Sequence, residues 1–479
     1  MIFNSFEFLL FFPLVALLYF LMPHQYRALH LLLASCIFYM AFIPTYILLL
    51  LALVLLDYGA GILIERTAQP KKKSIYLASI SIHLCVLFFF KYFNFFSESI
   101  NEALSSFGLT TSHLPYLHLI LPLALSFHTL RSISYLIEIY RGKMSAERNF
   151  IVYASSALFF PQLINGPIEK PYALIPQFKE NHLFNTENLL TGLRLMLWGF
   201  FKKVVIADRL ALYVNTVYQH PHDFHAYTLS LAVLFFSVQL YCDFSGYTDI
   251  AIGSARILGF RLSPNFNKPF RSKSMAEFWR RWHITLTVWY NDYLFKPIFA
   301  SMSSLRDWSV VIALLTTFLL SGLWHGAQWT FLAYGLLHGS ILVYEYLTRN
   351  FRLKLSLGLK SGWVSVPSMI TVFILITFSW IFFRAQSISD SIYVIRELGH
   401  FWKTPLSFSA FLLPSFGYTN FILSILFIAL LIIIHMLIKG EIGARWDNAY
   451  ADIAFCSIIL SLILIFGTSA SSMFIYSKL

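Results

Sequence analysis

One histidine stands out because it lies where a polar side chain is costly. His325 sits next to Trp324 and between two glycines, at the junction of the apolar runs 308–323 and 327–347. A neutral imidazole can take a proton from a hydroxyl group, as transfer of an acyl group from a thioester to an alcohol requires. A structural, hydrogen-bonded histidine is the alternative. The bracketing glycines, which let backbones approach closely, and a second histidine favour a catalytic site.

The second histidine is His283, which follows the segment EFWRRW at 277–282. If this piece is helical, Trp279 and His283 share one face at i, i+4, and Arg280 points elsewhere. An interfacial belt, with tryptophans at headgroup level and arginines reaching phosphate, accounts for the tryptophans and one arginine. It accounts less well for the histidine. We therefore predict that His283 orients or polarises a reacting group.

Two further polar clusters are candidates for a substrate path. Asp243, Ser245 and Asp249 lie in an apolar segment without cations, where they could relay protons, bind a cation or bond to the backbone of a bent helix. A basic loop that contains Asn267, Lys268 and Arg271 could receive the phosphates of a nucleotide-linked thioester or anionic lipid headgroups. The candidates for lining a substrate path or for binding a thioester donor are Trp324, Asp243, Ser245, Asn267, Lys268, Arg271, Trp279 and Arg280.

Sequence motifs for other kinds of chemistry are absent. There is no Gly-x-Ser-x-Gly elbow, P-loop, HExxH helix or Rossmann glycine pattern, so no residue proposes itself as a covalent nucleophile. The four cysteines are scattered without CxxC spacing, which predicts neither a disulfide framework nor a metal site. We expect no bound metal or cofactor.

The composition requires a membrane. The chain has 479 residues, of which 58% are hydrophobic and 12% are charged, and its mean hydropathy is +0.68. A single soluble core stops growing near ~250–300 residues and cannot bury so much apolar surface. The net charge of +12 does not indicate nucleic acid, because the cations cluster in short loops while 92–130 and 210–255 contain none. This asymmetry is the positive-inside pattern of a multi-pass protein.

Apolar segments long enough to span a bilayer predict about 11–12 transmembrane helices. The pieces 151–164 and 283–300 are too polar or broken to span, and we expect them to be re-entrant or interfacial. Cations in 65–73, 141–148, 256–281 and at Arg349, Arg352, Lys354 and Lys360 place those loops in the cytoplasm, and Glu98 and Glu102 place theirs outside. The apolar segments lie near 5–21, 29–47, 48–64, 75–95, 117–139, 189–205, 228–250, 308–323, 327–347, 364–383, 420–438 and 453–470.

Two further expectations concern the N-terminal segment and the number of domains. The N-terminal segment lacks the basic region and small-residue cleavage site of a signal peptide, which predicts a retained first span. No internal repeat or low-complexity linker divides the chain, so residues 1–479 are predicted to form one membrane domain.

Six sequence blocks, in order, resemble the membrane-bound O-acyltransferase family. They are FNSFEFLLFFPLVALLYF, SFHTLRSISYLIEIYRG, FFPQLINGPIEK, the run 239–259, FWRRWHITLT and GLWHG. The likeness is greatest to the bacterial branch that includes the membrane subunits of alginate and peptidoglycan O-acetyltransferases and the teichoic acid D-alanyl transfer protein. His325 and His283 stand where this family has its two functional histidines.

The resemblance implies an all-α ring of transmembrane helices around a tunnel. It implies an O-acyltransferase of the bacterial inner membrane that takes an acyl group, expected to be acetyl, from a cytoplasmic thioester such as acetyl-CoA or an acyl-carrier protein. The acceptor is expected to be a hydroxyl of an exported or cell-envelope polysaccharide, reached directly or through a periplasmic SGNH-type partner. The chain departs from the family pattern at His128, Arg131, Asn165 and the tail FIYSKL.

Two other classes of protein remain as alternatives. A transporter or flippase would use the same buried polar residues as a substrate path, but it usually has two related halves, and none are evident here. A non-catalytic scaffold would have no need for both histidines.

Overall fold

The computed structural model describes residues 1–108, 114–357, 361–403, 411–438, 449–468 and 474–475. Its regular elements there are helices, and no strand occurs among them. The first set of α-helices is α1 (Phe6–Leu21), α2 (His24–Met40), α3 (Tyr46–Arg66), α4 (Lys71–Leu87), α5 (Phe93–Ser106), α6 (Leu125–Tyr140), α7 (Phe150–Leu158), α8 (Phe160–Leu163), α9 (Pro171–Leu174), α10 (Thr186–Phe200) and α11 (Asp208–Gln219).

The second set begins with the longest uninterrupted α-helix among the described residues. It comprises α12 (Ala226–Ile257), α13 (Met275–Trp279), α14 (Ile284–Tyr290), α15 (Lys296–Ser301), α16 (Asp307–His325), α17 (Trp329–Leu347), α18 (Arg349–Leu357), α19 (Ser361–Arg384), α20 (Ile388–Gly399), α21 (Gly417–Leu437) and α22 (Ala449–Phe466). Short π-helical segments join α4 to α5 (Phe88–Tyr92), α10 to α11 (Phe201–Ala207) and α14 to α15 (Asn291–Phe295).

Length and composition confirm an all-α protein that crosses the membrane several times. Six helical segments of the described residues are long and apolar enough to span a bilayer: Tyr46–Arg66, Lys71–Ser106, Ala226–Ile257, Asp307–His325, Ser365–Arg384 and Gly417–Leu437. Each of the twelve apolar segments overlaps a helix. The total of 11–12 crossings, the orientation and the single domain stay predictions.

Two local predictions need correction or comment. Glu98 and Glu102 do not lie in a loop, because the helical run that begins at Lys71 continues through them to Ser106. Asn94 holds this extension to Leu117: its side-chain N–H donates to the Leu117 carbonyl, and its side-chain oxygen accepts from the Leu117 N–H, at 2.8 Å each. Lys360 lies outside the described residues.

The chain forms two compact units. One unit comprises Met1–Leu193 and Ala251–Ser263, and the other comprises Arg194–Ile250 and Pro264–Leu479. In the first unit, α3, α4 and α6 pack together, and α2 packs on α7. The second unit contains both candidate histidines, and its most extensive helix pair is α16 with α17.

Small residues set the α16–α17 packing. A Cβ atom on Gly322 would stand 2.2 Å from the backbone oxygen of Phe331, and one on Gly335 would stand 2.3 Å from that of Phe318. Only glycine permits backbones this close, and such approach is a common basis of helix association in membranes. The expected role of a glycine near His325 is therefore confirmed at Gly322. Close packing fixes the end of α16, where His325 lies.

Candidate active site

His325 is the last residue of α16 and is 2% exposed. Its ring lies 5.0 Å from the ring of Trp324, 5.3 Å from that of Phe383 and 6.0 Å from that of Tyr334, measured between centroids. Gly326 follows in extended conformation and ends the helix. The imidazole thus stands in an aromatic wall at the turn between α16 and α17.

His283 is the residue that precedes α14, and it is 1% exposed. Its backbone is left-handed, with φ of +43°, a region that costs a non-glycine residue free energy and often marks functional sites. The ring edge packs on Phe244, 4.7 Å between centroids. Burial lowers the pKa of His283 to about 3, so its imidazole is neutral.

Trp324 lies beside both histidines. Its ring centroid is 6.3 Å from that of His283 and 5.0 Å from that of His325. The two imidazoles are therefore separated by no more than the sum of these distances, and one aromatic ring lies against both. This geometry brings together two residues that are 42 positions apart in the chain.

The prediction that Trp279 and His283 share a helical face is wrong. Helix α13 ends at Trp279; the Trp282 N–H still bonds to the Phe278 carbonyl, but the Arg281 carbonyl and the Ile284 N–H bond to the loop at 265–267. Asn267 N–H donates to the Arg281 carbonyl at 3.0 Å, and Ile284 N–H donates to the Asn265 carbonyl at 3.0 Å. His283 consequently turns away from the direction of α13.

Trp279 lies instead against α17, where its indole N–H donates to Nδ1 of His338 at 3.3 Å. Because an indole nitrogen only donates, Nδ1 of His338 accepts and its Nε2 carries the proton. That Nε2 bonds to the hydroxyl of Ser379 at 2.8 Å. The three residues link α13, α17 and α19 in the buried core, and they fix a third histidine in one tautomer.

The polar residues of α12 pair with two lysines that we did not single out from sequence. Lys203 Nζ lies 2.7 Å from Asp243 and 2.8 Å from Asp208, and Lys202 Nζ lies 2.7 Å from Asp249. Ser245 accepts a hydrogen bond from Lys202 at 2.8 Å. Two adjacent lysines within a predicted span were the signal that could have found this network, because intramembrane cations need partners.

The same region receives the end of the described chain. Ile475 N–H donates to Asp243 Oδ2 at 2.7 Å, and the Phe474 ring centroid lies 4.4 Å from Lys203 Nζ. Asp243 is therefore occupied by one cation and one backbone group. Neither contact is to the backbone of α12 itself, and the use of this acid stays a prediction.

Breaking this network is expected to destabilise the protein. Lys203 is fully buried, and replacing it with methionine leaves Asp208 and Asp243 without their common cation, a loss typically worth about 3–5 kcal/mol for a buried pair. We expect K203M to aggregate at lower temperature when heated in detergent and followed by size-exclusion chromatography. The matched control is K296M, whose partner Asp292 lies near the surface. Equal thermal profiles for both variants would contradict a stabilising role.

The basic loop is placed around a short 3₁₀ turn at Pro269–Arg271. Lys268 has φ of +46°, and its ammonium group donates to the carbonyl of Ile438. Partial burial and then the nearby Arg271 lower the pKa of Lys268. Arg271 and Arg280 are exposed, and the backbone of Asn267 bonds to Arg281. Their proposed part in donor binding stays a prediction, as do the catalytic assignments.

A cavity of about 380 Å³ lies beside Phe383, within the same unit as the two histidines. Its lining includes Gly326, which follows His325, Phe383, whose ring lies against that of His325, and Gln239 of α12. The rim includes the exposed Gln328 and Gln386. Sequence reasoning missed this cavity, because its walls come from separate segments of the chain.

Among the described residues, no group of three or more His, Cys, Asp or Glu has metal-site geometry.

Comparisons with known proteins give the site its context. The model of the membrane-bound O-acyltransferase family matches residues 147–385, which include both histidines. The chain is 37% identical to the probable alginate O-acetylase AlgI of Azotobacter vinelandii, over 81% of this chain and 76% of that one. It is 33% identical to the peptidoglycan O-acetyltransferase of Helicobacter pylori, over 77% and 73%. It is 27% identical to the teichoic acid D-alanyltransferase of Bacillus subtilis, over 57% and 71%.

Proposed function

Because this chain belongs to the membrane-bound O-acyltransferase family and is an O-acyltransferase, we propose that it carries an acyl group from a cytoplasmic thioester to a hydroxyl outside the inner membrane. The acyl group is acetyl, and the donor is acetyl-CoA or an acyl-carrier protein. The acceptor is a hydroxyl of an exported or cell-envelope polysaccharide. It is reached directly or through a periplasmic SGNH-type protein.

The observation that carries this proposal is the arrangement of the two histidines about Trp324, with a cavity at Gly326. Family membership decides for an enzyme against the transporter and scaffold alternatives. The acetyltransferase names of two relatives, one for alginate and one for peptidoglycan, support acetyl and a polysaccharide.

The positions of the side chains support the following chemistry. His325 takes the proton of the acceptor hydroxyl as its oxygen attacks the thioester carbonyl, and a C–O bond forms. The C–S bond then breaks, and the imidazolium returns the proton to the departing sulfur. The products are an ester and a free thiol, and His325 is restored. His283 is neutral and buried, so it orients or polarises the reacting groups without adding a charge.

An assay in sealed vesicles tests the proposal. The protein is reconstituted with acetyl-CoA on one side and a labelled oligosaccharide on the other, with and without a purified SGNH-type protein. We expect thiol release on the donor side to match ester formation on the opposite side. Thiol release without any ester, or ester formation only when both substrates share one side, would contradict transfer across the membrane.

A further inference from the structure

The cavity beside His325 carries a cation that has no carboxylate partner among the residues the structure describes. Arg384 is the last residue of α19 and lines this cavity. Its guanidinium donates to the side-chain oxygen of Asn215 at 2.9 Å and lies 5.1 Å from the ring centroid of Tyr218. Both partners are neutral. A guanidinium has five N–H donors in a planar fork that matches carboxylate or phosphate groups.

A second wall of the cavity offers a hydrogen-bond acceptor. Gln239 is 5% exposed, and its amide oxygen is buried without a hydrogen-bond partner among the described residues. A buried polar atom left unsatisfied costs free energy, so such atoms call for an explanation such as a missing ligand. The group that satisfies an amide oxygen is an O–H or N–H donor. Because this oxygen has almost no exposed surface, a hydroxyl group of a ligand in the cavity meets this need once the Gln239 side chain turns toward it.

The two features line one cavity, and its lining includes two neighbours of the candidate base, Gly326 and Phe383, but not His325 itself. Phe383 lies against the ring of His325 and precedes Arg384, so the cation is adjacent in the chain to the aromatic wall of that histidine. The exposed Gln386 and Gln328 lie at the rim. Helix α19 follows a cluster of cations that we predict to be cytoplasmic, and this predicted orientation puts the Arg384 end of the helix outside. With that orientation, the cavity lies on the acceptor side of the site.

We propose that this cavity binds an anionic, hydroxyl-bearing unit of the acceptor polymer, with Arg384 on its carboxylate or phosphate and Gln239 on a hydroxyl. This assignment rests on the proposed function and names the class of acceptor. The guanidinium fixes the charged group at the outer end of the cavity, and Gln239 orients the sugar ring. A free hydroxyl of the same unit is then directed toward His325. Neutral sugars lack the group that Arg384 binds.

Binding is measured separately from catalysis. The protein in lipid nanodiscs, without any thioester, is titrated with three labelled oligomers of equal length: an oligouronate, a polyol phosphate oligomer and a neutral oligosaccharide. We expect at least one anionic oligomer to bind about 10- to 100-fold more tightly than the neutral one, the range for a charge-assisted pair. The oligomer that binds more tightly shows whether the cavity recognises a carboxylate or a phosphate. Equal affinity for all three, or no binding, would overturn the proposal.

Variants of Arg384 and Gln239 test which side chain recognises the charged group. R384Q should abolish the preference for the anionic oligomer, and R384K should restore it only in part, because an ammonium lacks the planar fork. Q239L should weaken binding of charged and neutral oligomers alike. The control R396Q removes an exposed arginine of α20 and should change nothing. A preference that survives in R384Q, while the variant elutes and unfolds as the parent does, would overturn the proposal.

The outcome is separable from that of the proposed function. Arg384-dependent binding in a protein that releases no thiol from any acyl thioester would refute the transfer reaction and leave the binding site standing. Vectorial acetyl transfer by R384Q at the parental KM for the anionic acceptor would leave the reaction standing and refute the binding site.

Discussion

Replacement of His325 by alanine is expected to lower the rate of acyl transfer about 10²–10⁴-fold, the usual loss on removal of one general base. The imidazole at the end of α16 can accept a proton from a hydroxyl at neutral pH, whereas the rings around it, those of Trp324, Tyr334 and Phe383, cannot. The measurement is thiol release from acetyl-CoA by the purified variant, at saturating acceptor.

Two further variants distinguish chemistry from packing. H325Q fills much of the same volume in the aromatic wall but has no basic nitrogen, so it should be as inactive as H325A. H400A removes a partly exposed histidine near Glu397 and should keep parental activity. The amount of folded protein after membrane extraction should be similar for all three. Parental activity in H325Q would refute His325 as the base.

Much of this architecture could be predicted from the sequence because it depends on local properties. Each of the predicted apolar segments overlaps a helix, since a run of apolar residues in lipid must satisfy its backbone internally. The small residues around His325 also indicated a close helix pair, and Gly322 packs as expected. The order of the family blocks then indicated the fold and the enzyme class.

What sequence could not supply was the pairing of distant groups. Nothing local says that Asn265 hydrogen-bonds to the start of α14, and this contact separates α13 from His283. The helical period of α13 therefore does not extend to His283. Nor does any motif join Gln239, Gly326 and Arg384, whose shared cavity depends on three segments that meet only in the folded chain.

The backbone of His283 provides the second large prediction, because it allows the side chain and the conformation to be tested apart. Its φ of +43° suits glycine and, among other residues, asparagine. H283G relieves the backbone and removes the ring, H283N keeps a polar side chain that tolerates this conformation, and H283A does neither. If the imidazole acts on the reacting groups, all three variants should lose activity by about 10²-fold or more.

The neighbours of His283 serve as unequal controls. Thr285 is a poor control, because its hydroxyl donates to Asn265 Oδ1 at 2.6 Å and its replacement would loosen the turn that holds His283. Ile284 is the better control, and I284A should stay within a few-fold of the parent. Activity is measured as kcat and KM for the thioester, together with thermal stability. A purely conformational role predicts that H283G and H283N keep parental kcat and only H283A fails. Loss of kcat in all three variants, with H283G at least as heat-stable as H283A, would instead place the imidazole within reach of the reacting atoms.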